Sequence, residues 1–229
     1  MSFTTGFVVF PNLTQLDFTG PLQVLHRLPG ATTHIVARTR DPVPSDCPLT
    51  IQPTVTFADC PLLDLICVAG GFGVDQAMED EETIAFVRRE GVRAQYVTSV
   101  CTGAFILGAA GLLQGKRATT HWAYHHLLPC VGAIPVKERV VRDGNTVTGG
   151  GVTAGVDFAF TLMKEIAGPV VTQAVQLGIE YDPKPPFDSG SPARAPAEIK
   201  AVADQRYAPR LEAFQKVLDR VVSRLRAAG

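Results

Sequence analysis

YVTSVCTGAFILGAAGLL, residues 96–113, decides how the chain is read. AQYVTSV (94–100) is an apolar strand that stops at Cys101, and a helix of Gly, Ala and Leu follows at once. A cysteine at such a corner is either a small buried hydrophobe or an activated nucleophile. A sharp strand-to-helix turn pushes a side chain out of the core, as in the nucleophile elbow of hydrolases. The helix N-terminus presents unpaired N–H groups and a partial positive charge, which favour a thiolate and lower its pKa from about 8.5. A glycine within a helix costs about 1 kcal/mol relative to alanine. Gly103, Gly108 and Gly111 in one helix therefore imply that its close approach to the sheet matters.

Outward from this corner, short apolar runs alternate with amphipathic ones. GFVVF (6–10), THIVAR (33–38) and LLDLICVAGG (62–71) are strands. LTIQPTVTF (49–57) alternates around Pro53 and predicts an edge hairpin. FTGPLQVLHRL (18–28) predicts a helix with Thr19 as a possible cap, and DEETIAFVRRE (80–90) another, with acids first and Arg last. GKRATTHWAYHHLL (115–128) is a loop and helix, and IPVKERVVRDGNTVTGGG (134–151) a hairpin turning at Asp143-Gly144-Asn145. VTAGVDFAFTLMKEIAG (152–168) is a helix closed by Gly168; PVVTQAVQLGIEY (169–181) is a second, opened by Pro169. DPKPPFDSGSPARAPA (182–197) is an extended proline-rich arm leading to a C-terminal helix that Pro209 breaks or restarts. The order predicts an α/β fold: a mostly parallel sheet with helices on both faces and ligands at the carboxyl ends of its strands. Residues 1–181 form a single domain; the arm and last helix, 182–229, are expected to reach over a second subunit.

The bulk numbers bound the function. The 229 residues are 46% hydrophobic and 19% charged, with a net charge of −1, enough for one large core. No basic run points to nucleic acid. No stretch is long and apolar enough for a membrane span, and the N-terminus does not look like a signal peptide. The five cysteines, Cys47, Cys60, Cys67, Cys101 and Cys130, are scattered in neither disulfide nor zinc spacing, which fits reduced thiols in a cytoplasm. No His/Cys cluster predicts a metal.

A nucleophile needs an acid or base and a site for developing charge. Asp17, between Leu16 and Phe18 after the first strand, is either a partly buried acid of raised pKa or a plain first-turn residue. Gly70 and Gly71 end a neighbouring strand, and their N–H groups with that of Thr102 could hold an anion. Gly-Gly is also a common turn. His121 in ATTHWAYHH is a base candidate or a structural histidine.

Several of these pieces occur together: FPNLTQLDFTGP, FADCPLLDLICVAGG, YVTSVCTGAFILGAAGLLQGKRATTHWAYH, ERVVRDGNTVTGGGVTAGVDFAFTL and YDPKPPFDSGSP. With them the chain resembles the ThiJ/PfpI superfamily and, within it, the isocyanide hydratase family. The resemblance runs from the first strand to the proline arm. It implies a flavodoxin-like sheet with the cysteine at a nucleophile elbow, a homodimer, no metal or organic cofactor, and a small-molecule isocyanide as substrate. It assigns Cys101 as nucleophile, Asp17 as general acid/base and Thr102 as a polar contact. Phe72 departs from the family pattern and could reshape the pocket. Gly149, Gly150, Gly151 and Val152 read as either a tight connection or a hinge. A peptidase would carry histidine where Thr102 stands, and a glyoxal-type enzyme Glu in place of Asp17. A regulator would append a DNA-binding module, which the tail after Tyr181 does not resemble. A redox sensor using Cys101 is the remaining alternative.

Overall fold

The computed structural model describes residues 3–227. In chain order it contains β1 (Phe3–Val8), α1 (Gln15–Leu25), β2 (Ala31–Ala37), β3 (Val43–Pro44), β4 (Thr50–Ile51), β5 (Val55–Thr56), β6 (Leu65–Val68), α2 (Val74–Glu79), α3 (Glu81–Arg93), β7 (Tyr96–Val100) and α4 (Gly103–Ala109). There follow β8 (Arg117–Ala118), a 3₁₀ segment (Trp122–Val131), β9 (Ile134–Pro135), β10 (Val140–Asp143), β11 (Thr146–Gly149), α5 (Ala154–Gly178) and α6 (Ala197–Ala227). The main sheet has the order β10-β11-β7-β6-β1-β2-β5. Every neighbouring pair in it is parallel except the β10–β11 hairpin.

The central strands are buried without alternation: all of β6 and β11, and β7 after its first residue. Continuous burial of this kind requires cover on both faces, as parallel sheets have. One group of helices pairs α1 with α5; the other joins α2, α3, α4 and α6. Close approach accounts for the glycines of α4. A Cβ on Gly103 would lie 2.3 Å from the Val68 carbonyl, and one on Gly108 2.5 Å from Val131. Gly111 lies beyond the helix, at φ 78°.

Five local expectations need correction. Thr19 does not cap α1: the helix starts at Gln15 after Thr14, and the Thr19 hydroxyl donates back to the Gln15 carbonyl. Asp17 consequently sits in the first turn. The segment around Pro53 is not one hairpin. Thr50–Ile51 pairs with Val43–Pro44, whereas Val55–Thr56 joins the main sheet beside β2. The 115–128 segment forms β8 and then 3₁₀ turns rather than an α-helix, and Ile134–Pro135 pairs with β8, outside the β10–β11 hairpin. Pro209 lies inside α6 without breaking it. The joint between the two expected helices is real: Gly168, at φ 80° and ψ 171°, interrupts α5 just before Pro169.

Residues 182–196 contain no helix or strand and are largely exposed, whereas Phe214, Leu218 and Val221 of α6 are buried against the chain's own domain. No described helix is long and apolar enough to cross a membrane.

Candidate active site

Cys101 follows β7 directly and precedes α4, at φ 56°. A non-glycine residue rarely adopts this left-handed conformation, and the surrounding structure must hold it there. Its N–H is shared between the carbonyls of Gly149 (3.1 Å) and Gly150 (2.9 Å), and its carbonyl accepts from the Thr120 hydroxyl at 2.7 Å. The corner is thus an elbow fixed from the neighbouring β11 and from the segment before the 3₁₀ turns. It does not push the side chain into open solvent. Cys101 is only 5% exposed.

Asp17 is fully buried in the first turn of α1. Its Oδ2 accepts the Gly70 N–H at 3.1 Å, and its Oδ1 has no hydrogen-bond partner. The approach is close. A Cβ on Gly70 would lie 2.6 Å from the Thr102 nitrogen and 2.8 Å from Asp17 Oδ2. Gly71 turns at φ 125°, and a Cβ there would meet the Thr14 nitrogen at 2.2 Å. The Gly71 N–H donates to Thr102 Oγ1 at 3.0 Å. The expectation that Gly70 and Gly71 offer open N–H groups to an anion is therefore corrected: one serves Asp17 and the other serves Thr102.

The N–H groups that reach the sulfur belong to Thr102 and Val152. Val152 sits at φ 21°, strained for a β-branched residue. Its role as a sulfur donor is invisible in sequence, because the contact depends on β11 lying beside β7.

Burial pushes the Asp17 carboxyl up to about 7, against the opposing pull of its hydrogen bonds. Burial and the Asp17 charge push the Cys101 thiol well above its ordinary value, while the Thr102 and Val152 N–H groups pull it down. The helix N-terminus alone does not yield the low-pKa thiolate expected from sequence, because desolvation outweighs it. The two acids form one coupled unit. A proton moved from the thiol to Asp17 removes the carboxylate charge that disfavours the thiolate. The elbow can therefore carry an ionised sulfur when Asp17 is neutral.

His121 stands apart from this pair. Burial holds its pKa down near 4, and its Nδ1 accepts the Ala123 N–H at 3.3 Å, capping the 3₁₀ turns. The structural reading of this histidine is the one its contacts support. Of the other thiols, Cys67 and Cys60 are pushed up to about 12 and about 11 by burial, and Cys47 and Cys130 are exposed. No cluster of three metal-ligating side chains occurs among the described residues. Phe72 is 46% exposed, and the Arg210 guanidinium lies 3.4 Å from its ring centre. Arg210 and Tyr207, both from α6, were not anticipated at the site. The signal was present as their helical spacing from Phe214 and Leu218.

Comparison with known proteins gives the chain its relatives. The DJ-1/PfpI family model matches residues 5–165. The isonitrile hydratase of Pseudomonas putida is 56% identical over 98% of this chain and 99% of its own. A THiJ/PfpI family protein from Pseudomonas syringae superposes with a TM-score of 0.92 at 43% identity, covering 97% of this chain and 91% of that one. Drosophila melanogaster DJ-1beta shares the fold, with a TM-score of 0.71 over 80% of this chain and all of its own. With the family model spanning most of its length, the chain belongs to the DJ-1/PfpI family.

Proposed function

We propose that the protein is an isocyanide hydratase, a hydro-lyase that converts R–N≡C and water to the formamide R–NH–CHO. The observation that carries this reading is the 56% identity, over nearly the whole of both chains, to the Pseudomonas putida isonitrile hydratase. The Cys101–Asp17 pair supplies the groups the reaction needs. Asp17, which the Cys101 side chain reaches, takes the thiol proton, and the Val152 and Thr102 N–H groups hold the resulting thiolate. The sulfur bonds to the terminal isocyanide carbon while Asp17 returns the proton to that carbon, giving the thioimidate R–N=CH–S–Cys101. Water then adds to the carbon with Asp17 as base. One water proton ends on nitrogen and the other on the departing sulfur, restoring the thiol as the formamide leaves. The terminal carbon of a linear isocyanide carries no substituent, so a narrow opening above Cys101 suffices. The route calls for no metal and no organic cofactor. Purified protein is expected to form formamide from p-nitrophenyl isocyanide while leaving methylglyoxal and casein untouched; turnover of either in place of the isocyanide would move the protein to another branch of the family.

The Gly149–Val152 connection is proposed as a hinge. Alkylation of the sulfur removes the charge that the Val152 N–H binds, and the strained φ of Val152 then favours release of the start of α5. Gly150→Thr would place a branched side chain where a Cβ already lies 3.4 Å from the Arg139 carbonyl. Its expected effect is a slower second phase, thioimidate hydrolysis, in pre-steady-state kinetics; unaltered burst and decay rates would remove the hinge.

The protein is further proposed to be a homodimer. Val170 (79% exposed), Leu177 (82%) and Phe187 (78%) leave apolar surface uncovered on the second half of α5 and on the arm. Sedimentation equilibrium is expected to give twice the 24.5 kDa chain mass, and a monomer would rule this out.

A further inference from the structure

The inward stripe of α6 begins before its buried anchor. Counting back from Phe214 by four and seven positions gives Arg210 and Tyr207, on the same helix face. These two residues meet opposite walls of the Cys101 corner. The Tyr207 ring lies 5.0 Å from that of His121 and 5.5 Å from that of Trp122, with its hydroxyl 3.5 Å from His121 Nε2. His121 rests on Gly151, where a Cβ would be 2.8 Å from its ring, and the adjacent Gly150 carbonyl accepts the Cys101 N–H. On the other side, Arg210 stacks on Phe72, next to the Gly71 that is tied to Thr102. One turn of α6 thus bridges the 149–152 wall and the 70–72 wall, with Cys101 between them. Tyr207 and Tyr124 both lie near enough to Cys101 that an ionised sulfur there would disfavour their own ionisation.

The two halves of α6 are held differently. After Pro209 the helix is anchored by buried Phe214, Leu218 and Val221, and by Arg220 and Arg224 on Glu79 at 2.7 and 3.5 Å. Before Pro209, no residue of the helix is buried. Pro209 itself cannot donate to the carbonyl of Gln205, which weakens the helix at the boundary between the halves.

We infer that Tyr207 is a specificity-determining residue of this site: its ring roofs Cys101 on a movable half-helix and sets the size of the R group that an isocyanide can bring to the sulfur. The aromatic walls, Phe72, Trp122, Tyr124 and Tyr207, favour an apolar R. The substrate part of this inference rests on the hydratase reading; the roof does not.

Two readouts separate them. The first is the rate of Cys101 alkylation by iodoacetamide and by bulky N-phenylmaleimide, followed by mass on the Cys101 peptide so that the exposed Cys47 and Cys130 do not contribute. The second is kcat/KM for ethyl and for 1-adamantyl isocyanide. Tyr207→Ala is expected to raise the adamantyl-to-ethyl ratio roughly tenfold and to speed the bulky label more than the small one. Tyr207→Phe, which keeps the ring, is expected to stay near wild type in both ratios. If Tyr207→Ala disturbs α6 by circular dichroism, Tyr207→Leu replaces it. Unchanged ratios in the truncated variant, or a Phe variant that behaves like the truncation, would overturn the roof. A shifted labelling ratio with no isocyanide hydrated by wild type would leave the roof standing and overturn the hydratase reading.

Discussion

Cys101→Ala is expected to bring formamide production down to the uncatalysed rate, a loss of at least about 10⁴-fold, the scale seen when the nucleophile of a coupled set is deleted. No other thiol can substitute. Cys67 is sealed within β6, Cys60 is held protonated by burial, and Cys47 and Cys130 are exposed at the surface. The variant is expected to remain folded. Alanine preserves the Cβ, and the elbow is fixed by backbone and hydroxyl contacts from Gly149, Gly150 and Thr120 that do not involve the sulfur. A change in stability of about 1 kcal/mol or less is expected from the lost sulfur contacts. Quenched wild-type enzyme should carry the mass of one isocyanide on the Cys101 peptide, and the alanine variant none. Retained turnover in Cys101→Ala, with normal unfolding behaviour, would eliminate covalent catalysis at this corner and leave Asp17 acting on water directly.

This corner was legible because three local signals coincide there: a continuous apolar strand, its abrupt end, and small residues opening the next helix. Each belongs to a few adjacent residues, so the pattern survives without knowledge of the rest. Asp17 was legible as a candidate because a carboxylate between Leu16 and Phe18 at a strand exit is unusual. What failed depended on distant partners. Gly70 and Gly71 do end a strand beside Cys101, but which acceptor takes each N–H is settled by where α1 and α4 begin. The Val152 donor requires the β7–β11 pairing. Thr19 looked like a cap because Pro21 follows it, yet the helix starts earlier, held by Thr14 bonding to Gly70 and by the Gln15 N–H bonding to Asp46. The roof over the site lay furthest from view. The arm of residues 182–196 carries no periodic pattern, so nothing local says where α6 will land, and Pro209 argued for a break that packing of Phe214 and Leu218 overrides.

Asp17→Asn is expected to disable the enzyme and stabilise the fold in the same stroke. The amide keeps an oxygen for the Gly70 N–H, but it can neither take the thiol proton nor return it to carbon, so a loss of about 10²–10⁴-fold in kcat/KM is expected. The stability effect follows from the sign of the pKa shift. Burial pushes the folded carboxyl up to about 7, from an ordinary value of 3.8, because ionising it means charging a buried group. Between those values the folded chain holds a proton that the unfolded chain releases, so rising pH favours unfolding. The penalty is absent below the unfolded pKa and complete once pH has passed the folded one. A shift of about three units corresponds to at most about 4 kcal/mol. Denaturant titrations should therefore show wild type losing stability between pH 5 and 8 relative to Asp17→Asn, with the two converging toward pH 4. The Cys101 thiol, freed from its charged neighbour, should also ionise at lower pH in the variant, seen as a downward shift in the midpoint of its alkylation rate. Identical pH slopes for the two proteins would mean that Asp17 is already ionised at pH 5, and the shared-proton account of the pair would have to be abandoned. Parallel loss of activity and gain of stability is the signature expected of a carboxyl buried for its chemistry rather than for the fold.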